Sequence, residues 1–415
     1  MMQEMKPELR FEGFDDTWEQ RKLGELATIV TGSTPPTADA ENYGGSFPFV
    51  SPADISESRF VSSTQTTLSE KGFGLGRFVP AQASLFVCIG SSVGKVGQVR
   101  EGVVTNQQIN AVIPGIELTA DFTYSLLEHC SPRVKAQAGT QAVPIVNKAS
   151  FADTDVAIPS LGEQARIGST LTQLDNLITL HQREYDKLLT TKQSLLQKMF
   201  PKAGETEPEL RFDGFEGPWG SKKLGELVTK VTQKNRDMAV TETFTNSAEF
   251  GIVSQLDFFD HDVAREESIG GYFVVQPEDF VYNPRISSMA PVGPINRNRL
   301  GRAGVMSPLY TVFRPGDAIY NAYLEHFFEA SGWHDYMQLN GNSGARSDRF
   351  SISDSVFFEM PIPYPSIAEQ TEIANVLERL GNLISLRAQE LEKLKQIKSG
   401  LLQRMFVCSS RRSAS

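Results

Sequence analysis

The sequence predicts an α+β protein: two mixed α/β domains separated by an antiparallel coiled coil of two long helices, duplicated about a pseudo-twofold axis. Three observations predict it. The chain repeats itself once at a spacing of about two hundred residues, far longer than a solenoid repeat. Each copy closes on a long, proline-free run of heptad-spaced apolar residues. Between the matched blocks, residues of about 32–157 and 233–360 share almost no alignable identity, yet both read as short strands broken by turns.

The first matched block opens each copy. Pro7-Glu8-Leu9-Arg10-Phe11-Glu12-Gly13-Phe14 recurs as Pro208-Glu209-Leu210-Arg211-Phe212-Asp213-Gly214-Phe215. The match runs without a gap through Trp18 and Trp219 to Lys22-Leu23-Gly24-Glu25-Leu26 and Lys223-Leu224-Gly225-Glu226-Leu227. The second block closes each copy. Glu163-Gln164 answers Glu369-Gln370, and the register holds through Leu195-Leu196-Gln197 with Leu401-Leu402-Gln403 to Met199-Phe200 with Met405-Phe406. Matched parts meet a common constraint, either each other or two copies of one partner. Divergent bodies do different jobs of one kind.

In the closing blocks Leu171, Ile178, Tyr185 and Met199 form one heptad set and Leu174, Leu188 and Leu195 the other. The second copy supplies Leu377, Ile384, Leu391 and Met405 with Leu380, Leu394 and Leu401. Polar residues interrupt both at equivalent places, His181 with Arg387 and Lys192 with Lys398. Each helix is expected to be about 57 Å long. The chain returns through a folded body before the second helix begins, so an antiparallel pair satisfies the connectivity. The alternative is two helices packed separately on their own domains. His181 reads as a register-setting residue rather than a titrating switch.

The first body offers strands at Phe47–Val50, Ala83–Ile89, Gly102–Val104 and Ile109–Ile113, with a helix near Phe122–Cys130. The second offers Gly251–Val253, Tyr272–Val275, Phe280–Tyr282 and Leu309–Phe313, with a helix near Ala318–Ser331. The resulting boundaries are 1–160 for the first domain with its opening segment and 161–201 for the first helix. A linker and repeated opening segment occupy 202–217, the second domain 218–365, the second helix 366–406 and a disordered tail 407–415.

The formal net charge of −10 argues against a simple DNA binder, because phosphate contacts need cations. A groove needs only local excess, however. No acid occurs from Lys71 to Arg100, from His129 to Ala152 or from Phe280 to Gly316. The last window carries Arg285, Arg297, Arg299, Arg302 and Arg314. Chance clustering in loops is the competing account. Gly90-Ser91-Ser92-Val93-Gly94-Lys95-Val96-Gly97 approaches a phosphate-binding loop, but it is a residue short and Val96 replaces the magnesium-holding hydroxyl. It reads better as a Gly-rich hairpin carrying Ser91 and Lys95 toward a DNA phosphate, with Arg100 following. Asn106, Gln107, Gln108 and Asn110 have the amides that pair with adenine edges, or they simply form turns. Asn296-Arg297-Asn298-Arg299-Leu300-Gly301-Arg302 suits guanine or phosphate contacts, against a solvated basic loop. Lys148, Arg346 and Arg349 are weaker candidates before the last strand of each body.

Other chemistry is missing from the sequence. Tyr282-Asn283-Pro284-Arg285 lacks the second proline and aromatic of an adenine-methylation motif. Neither a helicase nucleotide loop nor a nucleophile–base pair stands out, and His129, His181, His261, His326 and His334 make no metal-ligand spacing. Cys88, Cys130 and Cys408 are isolated thiols that suit a reducing cytoplasm. No apolar run approaches the roughly 20 residues that span a bilayer, and Met1–Pro7 does not read as a secretory signal. No catalytic group, metal site or membrane contact is expected.

Taken together, the Leu-Arg-Phe-x-Gly-Phe…Trp…Lys-Leu-Gly-Glu-Leu opening and the Ile-Pro…Glu-Gln-x-x-Ile helix start at Ile158–Ile167 and Ile362–Ile373 are a specific combination. With the Leu-Leu-Gln-x-Met-Phe helix end, they resemble the specificity subunit of type I restriction–modification systems over nearly the whole chain. The resemblance implies two target-recognition domains, each reading one half of an asymmetric bipartite site on double-stranded DNA. It implies helices that hold them at fixed separation and bind two methyltransferase subunits, which restriction/translocase subunits join. S-adenosylmethionine, ATP and Mg2+ would then serve those partners and not this chain, in a bacterial or archaeal cytoplasm. Base-reading residues vary within that family, so the resemblance carries none of them over.

Overall fold

The computed structural model describes residues 5–139, 143–259, 266–343 and 348–407. Arg346, His261, Cys408 and the expected tail from 408 onward lie outside the described residues. The chain divides into two units, Met1–Glu184 with Arg387–Ser415, and Tyr185–Leu386. Two long helices, Leu161–Lys198 and Ile367–Arg404, each contribute to both.

In the first unit, the strand Glu19–Lys22 pairs antiparallel with Asp155–Ile158, just before the first long helix. This ribbon, its buried Trp18 and the helix Ala120–Ala136 pack around Phe122, Ile167 and Leu171, with Met405 and Phe406 from the end of the second long helix. The body carries a four-stranded antiparallel sheet in the order Ala27–Thr31, Ile109–Pro114, Ser84–Val87, Val96–Gln98. A second, mixed sheet pairs Thr66–Leu68, Tyr43–Val50, Val103–Thr105 and Phe78–Val79 in that spatial order.

The second unit repeats the frame. Gly220–Lys223 pairs with Pro361–Tyr364, and a sheet runs Val228–Lys230, Thr311–Pro315, Phe280–Tyr282, Ile295–Arg297. Its core gathers Trp219, Tyr323, Phe327, Ile373 and Leu377 with Met199 and Phe200, which end the first long helix. The expected helix at Ala318–Ser331 is shorter, Asn321–Glu329, and a separate helix Trp333–Asn340 follows Gly332. In the first body the helix instead continues past Cys130 to Ala136, carrying Pro132 inside it.

The matched residues meet at the helix ends. Arg10 grips buried Glu163 through both guanidinium arms at 2.8 Å, while Leu9 N–H donates to the Arg404 carbonyl. In the second unit Arg211 forks onto buried Glu369 at 2.7 and 3.0 Å, and Leu210 N–H donates to the Lys198 carbonyl. Each opening segment therefore ties the start of one long helix to the end of the other. Bidentate, charge-assisted pairing of this kind fixes orientation as well as energy. Gln164 and Gln370 complete the joint by capping Thr119 N–H and Tyr320 N–H.

Partners along the helices run in opposite directions. In the first unit Asp175 meets Lys398 at 2.6 Å, His181 lies 3.7 Å from Glu390, and Glu184 pairs with Arg387 at 3.4 Å. Rising numbers on one helix thus meet falling numbers on the other, as an antiparallel seam requires. Leu171 and Leu377 are fully buried and Leu174 nearly so, while Ile178, Leu188, Leu195, Leu380, Ile384, Leu394 and Leu401 are half-buried. The seam lysines also reach beyond the helix pair. Besides Asp175, Lys398 reaches Glu128 at 2.7 Å, and Lys192 reaches Glu329 at 2.9 Å, both on the helix of their own unit's body. Burial opposes the charge on Lys398, but Glu128 and Asp175 outweigh it and raise its pKa. Burial likewise opposes ionisation of Glu329, yet the His326 hydrogen bond and the charge of Lys192 hold it down at about 2.

Arg10→Ala should leave Glu163 buried without its fork and cost the first unit about 3–5 kcal/mol. Arg10→Lys should recover only part, because an ammonium lacks the planar fork. Hydrogen exchange across 5–26 and 161–171 measures both. Because the fold favours ionised Glu329, its contribution is complete above the ordinary carboxylate pKa and is lost as pH falls toward about 2. Acid titration of Glu329→Gln should lack that loss.

Candidate nucleic-acid interface

Each four-stranded sheet has two ends with different neighbours. In the first body Thr31, Val87 and Ile109 meet at one end, so the loops 32–34, 88–95 and 106–108 converge there. Gln108 donates to the Ile89 carbonyl and Asn106 to Gln108, while Thr34 donates to Gln107 at 2.5 Å. Ser91 and Gln107 are exposed in this cluster. It is a surface of hydroxyls and amides, with its members already crosslinked. The opposite end faces the long helices. There Gln98 accepts from Arg59 at 2.8 Å, and Arg59 reaches Thr172, Asp175 and Asp121. Arg59 is only 2% exposed and lies over the Tyr124 ring.

Several expected contacts fall elsewhere. Asn110 is buried, bonded to Thr31 and the Cys88 thiol, so it is a core residue and not a surface amide. Burial pushes that thiol up to about 12 against the effect of Asn110, which marks the spot as closed. Arg100 sits at the helix end of the sheet, stacked over Phe60 at 3.9 Å and sharing a hollow with Asp121 and Ala165. Lys95 is exposed but turns its ammonium back to the Ile55 carbonyl. Lys148 opens a short helix and faces solvent.

The second body departs further from expectation. The loop 296–302 is not a free basic loop. Arg297, 9% exposed, binds Glu278, Glu325 and Glu378, the last on the second long helix. Arg299 pairs with Glu325 and Glu378, Arg302 with Glu242, and Arg314 with Asp279. Asn298 is fully buried, and Asn296 donates to Asn246. Arg297 and Arg299 anchor the body to its helices, which is the place Gln98 and Arg59 hold in the first body, while Arg302 and Arg314 pair with acids of neighbouring loops.

The far end of the second sheet is different. Tyr282 meets Thr311 and Ile295 there, bringing together the loops 283–294 and 307–310. They line a hollow of about 430 Å³ with Asn246, Gln255, Tyr310, Arg285 and Arg349. Arg285 and Arg349 face each other across an antiparallel bridge. Among the described residues neither is held by a carboxylate. Sequence reasoning named both arginines but missed Asn246, Gln255 and Tyr310, which come from three separate segments with no shared motif. It also missed Arg59, whose polar surroundings in sequence hide its burial.

Among the described residues no helix is long and apolar enough to cross a membrane, and no group of His, Cys, Asp and Glu could hold a metal ion. The family described as "Type I restriction modification DNA specificity domain" matches residues 15–190 and 305–396, well over half of the chain. The type I restriction enzyme HindI specificity subunit of Haemophilus influenzae is 31% identical over 149 residues, covering 34% of this chain and 32% of that protein. The type I restriction enzyme MjaVIII specificity subunit of Methanocaldococcus jannaschii is 20% identical over 406 residues, 93% of this chain and 91% of that one. The chain thus spans about a third of the Haemophilus relative and most of the Methanocaldococcus one. A solved S subunit of a type I restriction-modification system from M. genitalium superposes with a TM-score of 0.60 at 14% identity, covering 98% of this chain and 100% of that chain.

The two classes of arginine in the second body should separate by stability. Arg297→Ala should cost about 2 kcal/mol, because it removes a nearly buried guanidinium and leaves Glu325 and Glu378 to Arg299 alone. Arg285→Ala and Arg349→Ala should each stay within about 0.5 kcal/mol of the parent. Chemical denaturation, with hydrogen exchange over 273–330 to assign the unit, measures the difference.

Proposed function

The chain belongs to the type I restriction modification DNA specificity family, and from that membership we propose that it is the DNA-reading subunit of a restriction–modification complex. Each body addresses one half of an asymmetric bipartite site with the far end of its sheet, and the paired helices set the interval between the halves. The observation that carries this reading is one frame used twice with different loops. The same strand order and the same helix joints recur, while the far-end loops differ in chemistry. A duplicated reader of two unlike half-sites needs that combination.

The partners in this proposal are double-stranded DNA, two methyltransferase subunits and restriction/translocase subunits. S-adenosylmethionine, ATP and Mg2+ act in those subunits, while this chain positions DNA without catalysing, in the cytoplasm. Leu177 and Leu180 recur as Leu383 and Leu386, all at least 40% exposed beside the seam. Matched apolar positions left uncovered suit two copies of one partner better than solvent. The charge of −10 fits a reader whose partners supply part of the phosphate-binding surface.

Single-molecule sequencing of adenine methylation, with the gene for this chain present or deleted, tests the proposal. A methylated motif with two defined halves and a fixed gap should depend on the chain. Methylation that is unchanged by the deletion would remove the reading.

A further inference from the structure

In an antiparallel pair, opposed residues whose neighbours make the hydrogen bonds stand about 4.5 Å apart at Cα, with their side chains close. Arg285 and Arg349 occupy such a pair. Ile286 N–H donates to the Asp348 carbonyl and Phe350 N–H to the Pro284 carbonyl, flanking the arginines on both sides. Like charges placed directly opposite destabilise a ladder. The neighbouring Arg297, Arg299, Arg302 and Arg314 all have carboxylate partners, but these two have none among the described residues. The hollow they border also holds the Gln255 side-chain oxygen, which lacks any hydrogen-bond partner.

The first body contains the same bridge with other chemistry. Ile89 faces Ile145, flanked by Gly90 N–H to the Pro144 carbonyl and Val146 N–H to the Cys88 carbonyl. Both bridges extend the same strand of the sheet beyond its far end, after Val87 in one body and after Tyr282 in the other. One geometry therefore presents two apolar side chains in the first body and two unneutralised guanidinium groups in the second.

We propose that the Arg285–Arg349 pair is the contact by which the second body grips its half of the DNA site. Its ligand is a face of hydrogen-bond acceptors on the duplex, either phosphate oxygens or the O6/N7 edge of guanine. Both match the planar fork of arginine, and both relieve the repulsion between the two cations. The assignment rests on the function proposed above. It moves the DNA contact of this body from the loop 296–302 to the opposite end of the sheet.

The test uses cells carrying the complete modification system and the purified complex. Methylation is sequenced for Arg285→Ala, Arg349→Ala, the double alanine variant and a double lysine variant. Binding is measured on duplexes with the parent motif and with a scrambled one, across salt concentrations. If guanine is read, the double alanine variant relaxes one base position in one half-site, with preference there falling roughly tenfold to a hundredfold. The other half and the gap stay as they were, and lysine does not restore the preference. If phosphate is held, the motif is unchanged, binding weakens on both duplexes, the salt dependence flattens by roughly one to two contacts, and lysine restores it. An unchanged motif with unchanged affinity overturns the proposal. So does a variant whose melting temperature collapses, since the pair would then be structural. If the parent protein supports no bipartite motif at all, it is the function proposed above that fails.

Discussion

The structure depends on one joint made twice. An arginine near the start of each copy forks onto a buried glutamate at the start of a long helix, and its neighbour's N–H holds the last turn of the other helix. Removing a carboxylate from water is expensive, and only a well-formed partner compensates. The joint is therefore specific as well as strong. It explains why opening and closing segments match between copies while everything between them differs. Segments that meet in space at a helix end must keep their chemistry together.

Each unit adds a second attachment, and here the copies diverge. Lys398–Glu128 and Lys192–Glu329 are equivalent pairs, but the arginines that reinforce them come from unrelated loops. In the first body Arg59 reaches from the loop between Tyr43–Val50 and Thr66–Leu68 to Asp121 and Asp175. In the second, Arg297 and Arg299 come from within and just after an edge strand to Glu325 and Glu378. The mechanical demand is shared: hold the body's helix and sheet against the long helices. Two sequences meet it with different cations, which frees the rest of each body to change.

Much of this architecture was legible in the amino-acid order. Heptad leucines gave away both long helices because a seam repeats its demand every seven residues. Buried runs such as Ser84–Val87 and Ile109–Pro114 stood out as strands by their apolar content. The ribbons Glu19–Lys22 and Gly220–Lys223 did not, because they are polar and exposed, and only their partners and the adjoining tryptophans place them. The loop 296–302 misled for an instructive reason. A window free of acids along the chain is not free of acids in space, and Glu242, Glu278, Glu325 and Glu378 all come from beyond it. Among the described residues, Arg285, inside the same window, and Arg349, far outside it, have no carboxylate partner.

The paired bridges have a bearing on how such a protein changes over generations. At Ile89–Ile145 and Arg285–Arg349 the backbone bonds belong to the flanking residues. Substitution at the bridge thus leaves the flanking backbone bonds in place, and of the four side chains Ile89 is one that also packs on the core of its unit. On the proposed assignment, substitution of Arg285 or Arg349 alters preference without first having to survive a loss of stability. A lineage under pressure to switch targets has, at that bridge, a route that is short in steps and gentle on the fold.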